Sequence, residues 1–149
     1  RIDDNELDIK TFQKHVRIIF KQMIKFIDWL HNKAKLAHLD ISLENILIKG
    51  CVYKNGKFIR HGKIGFIDFG LSQAFVNIKN PKTPFICTKF VGKCVYKAPK
   101  VYKKKLFDAK KADLWSLGVT LFMISVCIQP FEFPTKKDPM FCNIINGYM

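Results

Sequence analysis

The sequence has few acidic residues, no paired cysteines and no long apolar run. Its 149 residues include 12 Asp and Glu against 26 Lys and Arg, giving a formal net charge of +14. The five cysteines form no CxxC pair, which disfavours a zinc knuckle or a disulfide scaffold and predicts a reducing, cytoplasmic location. The most apolar run, residues 117–128, is shorter than the roughly 20 residues of a membrane span. We expect it to be a buried helix and expect no membrane span.

The positive charge is spread along the chain in short runs. Lys103–Lys105, Lys110–Lys111 and Lys136–Lys137 are separated by apolar residues. This pattern is more typical of a solvated surface than of a nucleic-acid face, and no platform of alternating aromatic and basic residues is evident. A basic nucleic-acid-binding module is therefore a minor alternative. The charge still favours acidic or phosphate-rich partners.

The hydrophobic pattern predicts an α+β fold. Apolar residues recur at helical spacing over residues 11–33 and again over 109–128, and a further helix is expected within 139–149. Between them stand two short β-like runs around a predicted Asn55-Gly56 turn. Residues 71–98 show no period and predict a long loop, which in a compact domain is usually functional or disordered. The length fits a single domain, residues 1–149, and the Arg1 start indicates a fragment.

Three short motifs follow one another along the chain. HLDISLEN covers residues 38–45, IDFG covers 67–70, and GKCVYKAPK is followed by DLWSLG at 113–118. In this order and at these spacings they resemble the catalytic loop, magnesium motif, activation-segment end and central helix of eukaryotic protein kinases. The particular variants resemble divergent serine/threonine kinases of unicellular eukaryotes (protists), including the apicomplexan FIKK group. The resemblance covers essentially the whole chain.

The kinase resemblance implies a set of site residues that use ATP and Mg²⁺. Asp40 matches the catalytic base, and Asn45 and Asp68 match the magnesium ligands that also bind the nucleotide phosphates. Leu47 matches the apolar residue beneath the adenine. His38 matches a histidine that packs against the D-F-G phenylalanine, here Phe69, so a structural role is favoured over proton transfer.

Other matching positions imply structural roles. Asp113 matches a buried aspartate that accepts hydrogen bonds from the catalytic-loop backbone. Four apolar residues of the central helix are most simply core residues: Trp115, Leu117, Leu121 and Phe122.

Several positions depart from the kinase pattern. Leu39 and Gln73 stand where basic residues often receive a phosphorylated activation loop, so control through Thr83 or Thr88 is not expected. A further departure is Lys100, which replaces the usual glutamate of the A-P-E motif and whose partner, in a later helix beyond residue 149, cannot be identified.

One departure touches the chemistry directly. Ser42 replaces the lysine that steadies the transferring phosphate. Lys93 follows Gly92 where a threonine usually touches the catalytic aspartate, so its ammonium is a candidate substitute near Asp40. A surface lysine is an equally weighted alternative.

These features predict a serine/threonine kinase domain in which the chain forms the large C-terminal lobe. The glycine-rich loop, strand lysine and helix-C glutamate would belong to a small lobe preceding Arg1. Without that lobe we expect the segment to be nearly inactive. The serine/threonine preference rests on ISLEN, which resembles the K-P-E-N pattern. The alternative is a pseudokinase or scaffold that uses the fold to bind partners, and the oligomeric state is not predicted.

Overall fold

The computed structural model describes residues 9–50, 52–54, 57–60, 62–74, 86–87 and 91–148. This part of the chain is α+β, with four helices and eight short strands. The helices are α1 (Ile9–Asn32), α2 (Pro99–Tyr102), α3 (Ala109–Val126) and α4 (Pro139–Asn146). The strands are β1 (Leu36–Ala37), β2 (Ile46–Lys49), β3 (Val52–Lys54), β4 (Lys57–Arg60), β5 (Lys63–Phe66), β6 (Gln73–Ala74), β7 (Ile86–Cys87) and β8 (Phe107–Asp108). Of these helices, none combines the length and apolar character that crossing a bilayer requires.

Helix α1 confirms the amphipathic helix predicted from residue spacing. Its buried side chains include Val16, Met23, Ile27 and Leu30, which follow one another at three, four or seven residues. That spacing places them on one face of a helix with 3.6 residues per turn. The helix therefore lies against the core along most of its length.

Helix α3 begins and ends at identifiable signals. The Asp108 carboxylate caps it by accepting hydrogen bonds from the backbone N–H groups of Lys110 (2.9 Å) and Lys111 (3.3 Å). Cys127 then adopts a left-handed conformation, with φ of 60°, and ends the helix at Val126. The predicted helix of residues 109–128 is thus two residues shorter in the structure.

The strands form four antiparallel pairs within the described residues. Strand β2 pairs with β5, and between them β3 pairs with β4. The predicted Asn55-Gly56 turn lies outside the described residues, but the flanking residues Lys54 and Lys57 are paired. Two further pairs, β1 with β6 and β7 with β8, contain two residues per strand. Strands of two residues carry no periodic signal. The prediction of a loop over residues 71–98 therefore missed β6 and β7.

The core joins these elements around the segment that follows β1. One cluster of buried side chains draws on α1, on β5, on α3 and on Ile41 of that segment; its members are Met23, Ile27, Leu30, Ile41, Phe66 and Leu117. Burying an aliphatic or aromatic side chain of this size contributes about 1.5–3 kcal/mol relative to exposure. Residues 38–45 are therefore held against a rigid scaffold.

Candidate active site

The loop of residues 38–45 is anchored by Asp113 of α3, as the sequence predicted. The buried Asp113 carboxylate accepts hydrogen bonds from the backbone N–H groups of His38 and Leu39, each at 2.8 Å. It also lies 2.8 Å from His31 Nε2. Leu39 is left-handed, with φ of 63°, a conformation that costs an L-residue about 1–2 kcal/mol. The Asp113 contacts hold this loop in a shape that it would not adopt alone.

The His38 ring has a structural environment. It lies 4.7 Å from the Phe69 ring, between centroids, which confirms the packing predicted from the sequence. Its Nδ1 accepts a hydrogen bond from the Asp40 N–H at 3.3 Å, so Nε2 carries the proton and donates to the Ile67 carbonyl at 3.2 Å. Burial lowers the pKa of His38, although the charge of Asp113 opposes this. A neutral ring with both nitrogens engaged is suited to orienting the loop.

Asp40 and Asn45 are held together at the two ends of this loop. The Asn45 amide nitrogen donates to the Asp40 backbone carbonyl at 2.8 Å and to its carboxylate Oδ2 at 2.9 Å. Asn45 is buried and Asp40 is half-buried. Because the amide uses its N–H groups on Asp40, its oxygen Oδ1 points away from that residue. The carboxylate is thus fixed in direction while remaining accessible to a substrate.

Asp68 is brought to the same end of the β2–β5 pair as Asn45. Asn45 immediately precedes β2, and its carbonyl accepts a hydrogen bond from the Ile67 N–H at 3.0 Å. The exposed Asp68 is the next residue; it is left-handed, with φ of 61°, and its Oδ1 accepts from the Gly70 N–H at 3.2 Å. The structure therefore places an amide oxygen and a carboxylate on one edge.

This oxygen pair fits a hard cation such as Mg²⁺. Mg²⁺ commonly takes one or two protein oxygens and completes its coordination with water and substrate phosphates. Among the described residues, no group of three or more His, Cys, Asp or Glu side chains forms a metal cluster. Asn45 Oδ1 and Asp68 Oδ2 are the donors that this edge offers, so a cation held here would depend on a phosphate ligand.

Lys93 reaches the catalytic loop at the position where Ser42 replaces a lysine. Its ammonium Nζ lies 2.9 Å from the hydroxyl of the fully buried Ser42. It also forms an ion pair with Glu44 Oε2 at 3.1 Å. The Glu44 pKa is lowered, first by its own backbone N–H and further by hydrogen bonds from Lys93 and Ser42. Among the described residues, the ion-pair partner of Lys93 is therefore Glu44, which follows Asp40 by four residues along the loop.

Gly92 explains how Lys93 comes so close. Its φ of 84° is in the left-handed region that favours glycine, and a Cβ there would lie 2.9 Å from the Leu39 carbonyl oxygen. The same Cβ would be 3.4 Å from Asp40 Oδ1. The backbone before Lys93 thus packs directly on the Leu39–Asp40 peptide.

The remaining predicted site positions lie around this centre. Leu47 is 53% exposed on β2, as an apolar contact for a flat ligand requires. Leu39 is buried in the core, and Gln73 Oε1 accepts a hydrogen bond from the Cys87 thiol at 3.2 Å. Neither side chain carries a charge for a phosphorylated loop, and Thr83 and Thr88 lie outside the described residues. Lys100 is exposed on α2.

Three contributing residues were not identified from the sequence. His31 joins Asp113, Glu44 pairs with Lys93, and the Tyr96 hydroxyl accepts a hydrogen bond from the Leu43 N–H at 3.3 Å. His31 could have been identified from the sequence, because it is a polar residue beside Leu30 at the end of the buried face of α1. The other two contacts are long-range pairings that residue spacing does not encode.

Comparison with known proteins decides the family. Residues 5–147 match the protein kinase domain family. The chain belongs to the protein kinase family. The catalytic-loop motif, the D-F-G motif and their connecting strands are the parts of the kinase domain described above.

Several relatives of the chain are plant kinases. The chain is 35% identical over 127 residues to the serine/threonine-protein kinase SAPK1 of Oryza sativa subsp. japonica, covering 85% of this chain and 32% of that protein. The same values hold for the serine/threonine-protein kinase SRK2C of Arabidopsis thaliana. The abscisic acid-inducible protein kinase of Triticum aestivum is 35% identical over 120 residues, covering 80% of this chain and 32% of that protein. The chain thus spans about a third of the length of these kinases.

Proposed function

We propose that this chain is the C-terminal-lobe part of a serine/threonine protein kinase that transfers the γ-phosphate of ATP to protein hydroxyls. An N-terminal lobe completes the nucleotide cleft. The observation that carries the proposal is the fixed Asp40 carboxylate, held at 2.9 Å by Asn45 beside the edge that carries Asp68. The names of the plant relatives and the ISLEN motif support the serine/threonine class.

The proposed roles follow from the chemistry of phosphoryl transfer. Asp40 orients the acceptor hydroxyl and accepts its proton while the hydroxyl oxygen bonds to the γ-phosphorus and the bond to the ADP oxygen breaks. Asn45 and Asp68 would hold Mg²⁺, which would neutralise charge on the phosphate oxygens. Leu47 supplies an apolar surface for the adenine.

Lys93 is proposed to supply the cation that Ser42 lacks. The Lys93 ammonium is 2.9 Å from the Ser42 hydroxyl, so it occupies the neighbourhood that a lysine at position 42 would reach. Glu44 shares this ammonium at 3.1 Å and positions it beside the loop. A γ-phosphate entering next to Asp40 offers Lys93 a more highly charged partner.

Two finer assignments rest on sequence alone. The similarity to divergent kinases of unicellular eukaryotes, including the FIKK group, stays a prediction from the motif variants. A cytoplasmic location is proposed because the five cysteines of the sequence form no CxxC pair and no even framework, a usage typical of a reducing compartment. The alternative function, a pseudokinase scaffold, is favoured by Ser42 in place of the lysine.

The proposal is tested by Asp40→Asn in the full-length protein. The asparagine retains an acceptor for the Asn45 amide but is a very weak base, so transfer to a serine peptide should decrease about 10²- to 10⁴-fold. ATP binding and the melting temperature should change little. Phosphate incorporation at saturating ATP provides the measurement.

Asp28→Asn is the matched control. Asp28 is exposed on α1 and accepts a hydrogen bond from Asn32 at 2.7 Å, and the chemical change is identical. It should retain wild-type transfer. Wild-type turnover of Asp40→Asn would remove Asp40 from the role of base, and absence of transfer by the unmodified protein would favour the scaffold alternative.

A further inference from the structure

Two lysines face each other at one end of the β2–β5 pair. The register sets Lys49 of β2 directly opposite Lys63 of β5, and both side chains are exposed. Directly opposite residues of an antiparallel pair have Cβ atoms about 4.5–5.5 Å apart, and like charges at that separation destabilise the pair. Neither lysine forms an ion pair with any of the described residues. The structure therefore contains a repulsion that an anion would relieve.

The same arrangement recurs in the hairpin nested between these strands. The register of β3 and β4 sets Lys54 opposite Lys57. The other described strand pairs, β1–β6 and β7–β8, oppose no two residues of like charge. Lysines are frequent elsewhere in the chain, but among the described strands pairing opposes them only in the segment of β2 to β5. We call this segment, residues 46–66, the lysine ribbon.

The backbone on both sides of Lys63 is held by helix α1. The Gln22 side chain donates a hydrogen bond to the Gly62 carbonyl and accepts one from the Ile64 N–H, each at 3.1 Å. Gly62 also packs closely on β2, since a Cβ there would lie 2.5 Å from the Lys49 carbonyl oxygen. The opposed lysines are thus presented from a fixed backbone, which a ligand does not have to order.

The lysine pair lies at the end of β2–β5 that is remote from the proposed catalytic site. Asn45 precedes β2 and Asp68 follows β5, whereas Lys49 and Lys63 stand at the other end of the same strands. Four residues of strand span about 13 Å at a rise of 3.3–3.4 Å per residue. A ligand bound at the lysines therefore leaves Asp40 accessible.

An anionic chain in an extended conformation matches two features of the lysine ribbon. Carboxylates would neutralise the opposed ammonium groups. Strands β3 and β4 pair with each other and with no other described strand, so the outer edge of each can hydrogen-bond a further strand. An added strand places alternate side chains on one face, about 6.6–6.8 Å apart. Nucleic acid and lipid headgroups supply the charge but not the strand.

We propose that the lysine ribbon docks an acidic, extended segment of a partner protein. The ribbon takes part in no step of the proposed phosphate transfer, so this docking function is independent of it. Charges at an interface select partners and steer encounter more than they add affinity. Binding should therefore weaken as the Debye length shortens from about 10 Å at 0.1 M salt to about 3 Å at 1 M.

The test measures peptide binding to the full-length protein by fluorescence anisotropy. A short Glu-rich peptide should bind at least about tenfold more tightly than the matching Gln-rich peptide at low salt. Single-stranded DNA and phosphatidylserine vesicles are titrated in parallel as alternative anions. Equal affinity for the Glu-rich and Gln-rich peptides overturns the proposal.

Charge reversal assigns the binding to the lysine pair. Lys63→Glu sets opposite charges across the strands, so it should raise the melting temperature by about 1–3 °C while weakening Glu-peptide binding several-fold. Adding Lys49→Glu restores like charges of the other sign. The double variant should melt close to the unmodified protein, bind the Glu-rich peptide about tenfold or more weakly, and gain affinity for a Lys-rich peptide.

Lys136→Glu is the matched control, since Lys136 is exposed in the loop before α4. It should change neither the melting temperature nor peptide binding, and an effect as large as that of the double variant overturns the proposal. If the double variant weakens binding of DNA or vesicles more than binding of the Glu-rich peptide, the partner is not an acidic protein segment. Because the readout is binding, a negative result leaves the kinase proposal intact, and absence of phosphate transfer leaves the docking proposal intact.

Discussion

At the residue scale, the contact between Lys93 and Ser42 relates two departures from the kinase pattern. A serine occupies the position of a lysine, and a lysine from a distant segment lies 2.9 Å from its hydroxyl. Either substitution alone would be unexplained. Together they are the basis of the proposal that Lys93 supplies the cation that position 42 lacks.

This relation predicts the behaviour of Lys93→Met. Losing one preorganised electrostatic contact to a transferring phosphate typically costs about 2.7–4 kcal/mol, so kcat should decrease a hundredfold or more while ATP affinity changes little. Adding Ser42→Lys should restore part of the loss. Steady-state kinetics of the two single variants and the double variant provide the measurement.

The double-mutant cycle includes its own control. If Ser42→Lys raises activity by the same factor with and without Lys93, the two positions are independent. Lys93 would then be a surface or substrate-facing residue. Lys137→Met makes the same substitution at an exposed lysine elsewhere in the chain. It controls for the loss of one positive charge.

Individual site residues differed in how far the sequence could predict them. Asp40, Asn45 and Asp68 stand at fixed motif spacings, so the sequence predicted them as a set, and the structure places Asn45 against Asp40. The sequence singled out Lys93, but its ion-pair partner Glu44 was not predicted, because residue spacing does not assign a long-range partner. Gly92 has a φ of 84°, a left-handed conformation that glycine adopts at little cost.

At the element scale, α3 and the catalytic loop are joined through a single buried carboxylate. Asp113 is 1% exposed. Its carboxylate accepts hydrogen bonds from two backbone N–H groups and contacts the His31 ring. Removing one partner from a buried charged contact costs about 3–5 kcal/mol, because the other groups are left unsatisfied. The loop conformation that orients Asp40 depends on this connection.

Asp113→Ala is therefore expected to lower the melting temperature of the kinase domain by on the order of 10 °C. Asp108→Ala is the matched control, since Asp108 caps the same helix from a half-buried position and a lost cap costs about 1 kcal/mol. Differential scanning calorimetry of both variants provides the measurement. Equal, small decreases for the two would show that Asp113 does not hold the loop.

Elements were predictable where the hydrophobic pattern of the buried face repeats over many residues. Helices α1 and α3 were located to within about two residues because their buried faces repeat over several turns. The pairing of β2 with β5 around a nested hairpin was not evident, since strands of four residues do not specify their partners. In the two-residue bridges, β1 packs against α1 and α3, and β8 packs against α3. The local sequence does not encode these long-range contacts.

At the scale of the whole molecule, the chain has a formal net charge of +14. Lys and Arg occur in stretches without Asp or Glu in several parts of the chain, among them residues 9–27, 45–67 and 69–107. The interpretation favoured from the sequence, positive charge spread over a solvated surface, stays a prediction. The chain also spans about a third of the length of its plant relatives, so catalysis is assigned to the full-length protein.

The most direct test of a live kinase site is Mg²⁺-dependent phosphate transfer by the full-length protein. With γ-labelled ATP and a serine peptide, we predict that label enters the peptide and that chelating Mg²⁺ abolishes incorporation, because Asn45 and Asp68 need the cation to hold the phosphates. Binding of ATP without any Mg²⁺-dependent labelling of peptide or protein would contradict the account and identify the fold as a scaffold.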